Sequence, residues 1–402
     1  MGPLAIDMYL PSFPTIAREL GSTAAQVEVT AAAYFIGLAV GQMIYGPLTD
    51  RVGRNKPLYA GLVLFILASI GCAYATSVPG LIAWRVLQAL GGCAEMVVAR
   101  AMVRDFFDER DSIRVLSLLI LVMGLAPILA PLIGGQLLVH FGWRSVFWTL
   151  AAFAAACFVA VAVLLPESLP VERRRREGIG AVARTFATLL RDRSYMAYAL
   201  SGSLIIAGMF AYIAGSPFVF IEVFGVPADR FGFFFGANAF GLIAAAQVNG
   251  RLARRMPARR ILGAVLPITA LAGLVLLTNA ATGFGGFAGI LLPLFVCVAS
   301  VGFVVPNTVV LAMRPHGRIA GSASALLGTV QFGLGAAAGA MVSTLNGAFH
   351  GAFRSAFHDG ASEGTPLPLA LVVAACGTGA LLVFRSSPAP PPAPPPAPIP
   401  AP

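Results

Sequence analysis

The sequence predicts an all-α integral membrane protein of two six-helix bundles, the first helix being truncated at its N-terminus. Three observations carry this reading. Hydrophobic residues make up 58% of the 402 and charged residues 11%, against roughly 25% charged in a typical soluble domain. Apolar stretches near the ~20 residues that cross a hydrocarbon core recur along almost the whole chain. The longest polar stretch, 167–194, then divides these stretches into two equal sets.

Taken in order, the apolar runs cover 3–17, 27–48, 57–76, 79–101, 112–138, 145–166, 195–220, 231–251, 260–280, 285–312, 319–347 and 366–385. Backbone groups in lipid must be satisfied within each segment, so these are helices and not strands. The first run has few residues before Arg18 and Glu19, too few for an untilted span. Its true start is therefore expected upstream of Met1, and a native N-terminal peptide mass matching Met1 would refute that. The expected organisation is an N-terminal bundle over 1–166, a central loop over 167–194, a C-terminal bundle over 195–385 and an unpacked Pro/Ala tail over 386–402.

Most of the 27 basic residues lie in one set of alternate loops. Arg51, Arg54 and Lys56 fall there, as do Arg104, Arg110 and Arg114, the run Arg173 to Arg176, Arg251 to Arg260, Arg314, Arg318 and Arg385. The opposite loops hold only Arg18, Arg144, Arg230 and Arg354. Basic loops stay cytoplasmic, which predicts cytoplasmic termini. Trp143 and Trp148 read as part of an outer aromatic belt. Charge so distributed sets topology, and no nucleic-acid partner is expected.

The five cysteines are scattered through apolar segments without a C-x-x-C pair, and the four histidines lie at loops or helix ends. Neither metal, cofactor nor nucleophile–base chemistry is expected from such a set, so an enzyme is excluded.

The strongest local pattern runs from Gly46 through Asp50, Arg51, Gly53 and Arg54 to Lys56. Gly46 lets helices approach, Asp50 can accept from a helix N-terminus or an arginine, and Gly53 permits the tight turn. This resembles the signature loop of the major facilitator superfamily. The fifth segment carries Gly124, Pro127, Pro131, Gly134 and Gly135, where prolines free carbonyls and glycines thin the helix. It resembles the antiporter motif of that superfamily.

An ionisable group within a span is a functional candidate by default. Asp7 lies about ten residues from the outer end of the first helix, roughly 15 Å deep at 1.5 Å per residue. Burial there penalises the charged form and suits the carboxyl to proton exchange, or else the residue is structural. Arg85 lies in Trp84-Arg85-Val86-Leu87-Gln88 before Gly91 and Gly92, resembling the superfamily's fourth-helix motif. It either snorkels outward or faces inward and competes for a carboxylate, Asp7 being the candidate. Glu95, deeper in the same helix, either faces the cavity or pairs with Arg100. Tyr9, Gln88, Phe210, Tyr212, Phe218, Asn238 and Asn307 are candidates for lining an apolar cavity.

Three phrases narrow the resemblance: Asp7-Met8-Tyr9-Leu10-Pro11; Gly208-Met209-Phe210 followed by Ser216 to Glu222; and Pro306-Asn307 followed by Ala320 to Leu326. They look like the Bcr/CflA group of drug:proton antiporters. That resemblance implies the major-facilitator fold and a bacterial inner-membrane exporter acting as a monomer. Its partners are then protons, the lipid bilayer and small amphipathic drugs of the bicyclomycin or chloramphenicol type, with transport of one specific metabolite as the alternative. Asp7 and Arg85 match the family's first- and fourth-helix positions, and Asp50 its loop aspartate. Glu95 departs from the group, where small residues are usual.

Overall fold

The computed structural model describes the backbone of residues 1–106, 109–170, 179–356 and 364–388, and within these every side chain but those of 100, 104, 109–124, 179–183, 317, 318, 320 and 350–356. The described elements are helical throughout. They are α1 (Gly2–Asp7), α2 (Phe13–Glu19), α3 (Ala24–Val52), α4 (Asn55–Ala73), α5 (Val78–Phe106), α6 (Glu109–Phe141), α7 (Arg144–Leu164) and α8 (Ile179–Arg191). The second half holds α9 (Arg193–Pro217), α10 (Ala228–Leu252), α11 (Ala258–Thr282), α12 (Gly286–Met313), α13 (Ala320–Ala356) and α14 (Leu367–Arg385). Among the described residues, ten helices are long and apolar enough to cross a membrane, with a shorter apolar stretch over Leu125–Phe141 within α6.

The first apolar run, expected as one helix, is broken. A 3-10 turn over Leu10–Ser12 separates α1 from α2, and prolines stand second in both the turn and α2. Pro11 and Pro14 lack the N–H that would continue the α-helical ladder. Asp7 is thereby left as the last residue of α1, beside the break. The central segment also departs from expectation, since part of 167–194 folds as α8. Its Leu189 is buried and Phe186 packs beside it in the cluster that holds Tyr195 and Leu326. The tail beyond 388 lies outside the described residues.

Local chemistry sets several helix ends. Thr23 and Gln26 form a reciprocal capping box on α3, each side chain meeting the other's backbone N–H. Asp192 caps α9 by accepting from the amides of Ser194 and Tyr195 at 2.8 and 3.1 Å.

In the first half, α5 packs between α3 and α4, and α4 against α7; in the second, α9 touches α12, α13 and α14, while α11 touches α12 and α14. The halves meet most extensively through α3 with α13 and α6 with α10. One close crossing in the first half is at Gly91 of α5. A Cβ there would stand 2.6 Å from both the Gly61 carbonyl oxygen and the Phe65 amide nitrogen of α4. Both obstacles are backbone, so neither yields. Gly91→Ala is expected to cost about 1–3 kcal/mol through overpacking, checked as a fall in the melting temperature of the purified protein.

Candidate functional site

Arg85 is wholly buried, and its surroundings explain how a guanidinium is held among apolar helices. Its Nη1 donates to the Ala5 carbonyl at 2.9 Å and to Gln88 Oε1 at 2.6 Å. Gln88 Nε2 in turn donates to Ser69 Oγ at 2.8 Å, and Ser69 donates to the Phe65 carbonyl at 2.7 Å. The charge also lies over two phenol rings, 4.2 Å from the centroid of Tyr34 and 4.6 Å from that of Tyr9. Such desolvated cation–π contacts are worth roughly 2 kcal/mol. Tyr9 is fixed in turn by a hydroxyl contact with Thr30. Arg85 therefore does not snorkel. Its Nε and Nη2 have no hydrogen-bond partner among the described residues.

Arg85 does not meet Asp7, the carboxylate expected to compete for it. It reaches the carbonyl two residues earlier, and two residues are about 200° of turn on an α-helix. Asp7 is buried, with Oδ1 lacking a partner among the described residues, and it is close enough to Tyr212 for their charges to interact. Tyr212 accepts from Asn238 Nδ2 at 3.0 Å and stacks on Phe235 at 5.3 Å. Arginine and carboxylate thus occupy opposite sides of one helical turn.

The other cavity candidates separate into distinct places. Phe210 is the middle ring of a column across the seam, 4.1 Å from Phe35 of α3 and 5.6 Å from Phe332 of α13. Tyr9 and Gln88 belong to the Arg85 cradle, and Phe218 is buried against Gly364. Asn307 bonds Asn249 at 2.7 Å, joining α12 to α10 away from Asn238. A small cavity lined by Gly208, Met209, Tyr212, Thr269 and Cys297 has room for little more than a water. Glu95 accepts from the Gly2 amide at 3.2 Å and from the Met1 amino group; the Arg100 side chain lies outside the described residues.

The signature loop forms a connected charge cluster. Arg54 Nη1 meets Asp50 at 2.6 Å and its Nε meets Asp105 at 2.9 Å. Burial opposes the Arg54 charge, but the hydrogen bonds to Asp105 and Asp50 outweigh it and hold its pKa above the ordinary value. Glu167 accepts from the amides of Arg54 and Asn55 at 2.8 and 3.2 Å, satisfying donors at the start of α4. Gly53 has φ of +103°, which suits glycine, and Arg51 is exposed. Gly46 faces Ala325 of α13 across the seam, 4.0 Å from its would-be Cβ.

Pro127 and Pro131 lie within α6, and the Gly124 position falls outside the described side chains. Gly134 and Gly135 sit where α6 meets other elements: a Cβ on Gly134 would overlap the Met8 carbonyl, and one on Gly135 would lie 3.0 Å from that of Ala228. Trp143, expected in an outer belt, is instead buried, its indole N–H donating to Glu19 at 2.8 Å. That bond, with the Arg144 guanidinium at 2.7 Å, holds the Glu19 carboxyl below its ordinary pKa. Trp148 is half-exposed beside Tyr74.

Sequence reasoning passed over Tyr34, Ser69, Glu28 and Asn346. The first two carry no charge to mark them. Glu28 is an acid within an apolar run and answers to the rule that selected Asp7. It is fully buried, and both its oxygens accept from Asn346 Nδ2, at 3.0 and 3.1 Å.

Comparison with known proteins bears on what this arrangement belongs to. Residues 2–340 match the model of the Major Facilitator Superfamily. The chain belongs to that superfamily. This superfamily member is 32% identical to the bicyclomycin resistance protein homolog of Haemophilus influenzae over 349 residues, covering 85% of this chain and 86% of that one. It is 38% identical to the uncharacterized MFS-type transporter YdgK of Bacillus subtilis over 337 residues (83% and 84% of the two chains). To the multidrug resistance protein MdtL of Escherichia coli O157:H7 it is 29% identical over 330 residues, 82% of each chain.

Among solved structures it superposes on a D-xylose–proton symporter with a TM-score of 0.72 at 18% identity, covering 96% of both chains. On an inward-facing bacterial homolog of the lysosomal transporter Spinster the TM-score is 0.69 at 15% identity, covering 96% and 93%. The fold is the major-facilitator fold. The protein is a membrane-spanning transporter and not an enzyme, and its relatives agree with the Bcr/CflA resemblance.

Proposed function

We propose that this transporter exports small amphipathic drugs across the bacterial inner membrane in exchange for protons, acting as a monomer with both termini in the cytoplasm. One observation carries the proposal: a buried carboxyl, Asp7, stands at a proline-made break in the first helix with one oxygen unpartnered among the described residues. A buried acid without a counter-charge is stable when neutral and must lose its proton to become charged. Tyr212, within electrostatic reach of Asp7 and bonded to Asn238, comes from the second half, so a change in how the halves meet changes the surroundings of Asp7. Arg85 serves as a fixed positive charge that limits how tightly the proton is held. Parting of the halves would uncover the Phe35–Phe210–Phe332 column, whose Phe35 and Phe210 are buried here, as apolar surface that discriminates weakly among drug-like molecules.

A susceptibility panel in an efflux-deficient host tests this. Expression of the chain is expected to raise resistance to several unrelated amphipathic antibiotics, and an uncoupler that dissipates the proton gradient is expected to remove that resistance. Uptake or release confined to one metabolite, with unchanged susceptibility, would overturn it.

A further inference from the structure

The seam between α3 and α13 runs antiparallel, and its residues identify a second place where a proton can act. From the arginine-rich end it passes Gly46 facing Ala325, then Gln42 against Gly328 with a would-be Cβ 3.3 Å away, then Ala32 against Gly339 at 3.5 Å. At the arginine-poor end two polar contacts close it. Ser343 donates to the Ala25 carbonyl, and Asn346 Nδ2 is shared between the two oxygens of Glu28.

Glu28 is completely buried in that position. An ionised carboxylate offers about four acceptor sites and no donor, and here, among the described residues, a single amide nitrogen donates to both oxygens. An ion so poorly compensated is costly away from water. The neutral acid loses that cost and gains an O–H able to donate to an amide oxygen.

We propose that Glu28 and Asn346 form a proton-binding latch at the arginine-poor end of the seam, closed when Glu28 is protonated and released when it ionises. This site is separate from Asp7. The sign follows from linkage: the closed form holds the proton more tightly than an opened form in which Glu28 meets water, so falling pH favours closure. For one proton the closed-to-open ratio changes by at most about tenfold per pH unit.

Among the described residues, the charged groups around Glu28 are few. Glu222, exposed on the π-helical turn Phe218–Val223, carries a like charge within electrostatic reach of Glu28. On α2, Arg18 is engaged by Thr15, and Glu19 by Trp143 and Arg144. Arg85 of α5 lies deeper, against Tyr34. On α13 the sequence places His350 four residues beyond Asn346, and a histidine titrates in the same pH window.

The test measures distances between spin labels at Thr76 and Ala281, exposed at the arginine-poor ends of the two halves. It uses the purified full chain in nanodiscs without drug, with the native cysteines replaced and His350→Gln as background. Between pH 8 and pH 5.5 the reference protein is expected to shift from longer to shorter distances. Glu28→Gln, which keeps an amide-compatible neutral group, should stay short at both pH values, and Asn346→Leu should stay long at both. Glu222→Gln should keep the response with a displaced midpoint.

A wild-type pH response retained in Glu28→Gln would overturn the latch, as would distances in the reference protein that ignore pH. Because no drug is moved in this assay, failure of the export reading leaves the latch standing, and failure of the latch leaves export standing.

Discussion

Asp7→Asn is expected to abolish proton-driven export while leaving the protein folded and inserted. The change removes the exchangeable proton and keeps the shape. Since Asp7 lacks a partner for Oδ1 among the described residues, no ion pair seen in the structure is lost, so stability should change by about 1 kcal/mol or less, as for a substitution that breaks no network. The readout is drug-driven proton movement in inside-out vesicles, with expression level and melting temperature as controls. Undiminished proton movement in Asp7→Asn would rule Asp7 out as the coupling residue. Loss of insertion would mark it as structural instead.

Arg85→Lys is the second large effect. A lysine keeps the charge but not the flat guanidinium that lies over both Tyr9 and Tyr34 and bonds Gln88 and Ala5 together. A hydrogen bond to a charged group is worth roughly 1.5–3 kcal/mol, so export is expected to fall about tenfold to a hundredfold. The pH profile separates tuning from scaffolding. If Arg85 limits how tightly Asp7 holds its proton, the optimum of export should move in Arg85→Lys; a uniform loss at every pH would reduce Arg85 to a packing role.

Much of the fold was legible because membrane helices announce themselves twice, by apolar length and by the basic loops that punctuate them. The long spans α3, α4, α5, α7 and α9 to α14 all follow apolar runs. The break at Leu10–Ser12 was foreshadowed only by Pro11, because hydropathy sums over a window and does not see a lost N–H. The helix α8 hid in a stretch read as loop, since its 13 residues are too few to span and follow the run Arg173 to Arg176, while its burial of Leu189 depends on the second half.

At the site, the sequence named Arg85 and Asp7 as partners, whereas in this structure Arg85 bonds the Ala5 carbonyl and Gln88 instead. Which face of a short helix meets which neighbour depends on packing, and a residue two positions away in sequence lies on nearly the opposite side. Trp143 was misplaced for a similar reason: an aromatic at a helix end suits a lipid interface, yet here Glu19 drew its indole inward. Glu28 was readable by the rule applied to Asp7 and was obscured by its place at the edge of a run. Its partner, 318 residues away in the chain, was not readable at all.

The central claim is exchange of drug for protons by this chain alone. The most direct measurement is drug movement in proteoliposomes containing only the purified protein, under an imposed pH gradient. Drug is expected to be driven toward the acidic side in the reference protein, to equilibrate when an ionophore collapses the gradient, and to show no gradient-driven movement in Asp7→Asn. Transport of the same size with and without the pH gradient would contradict proton coupling outright.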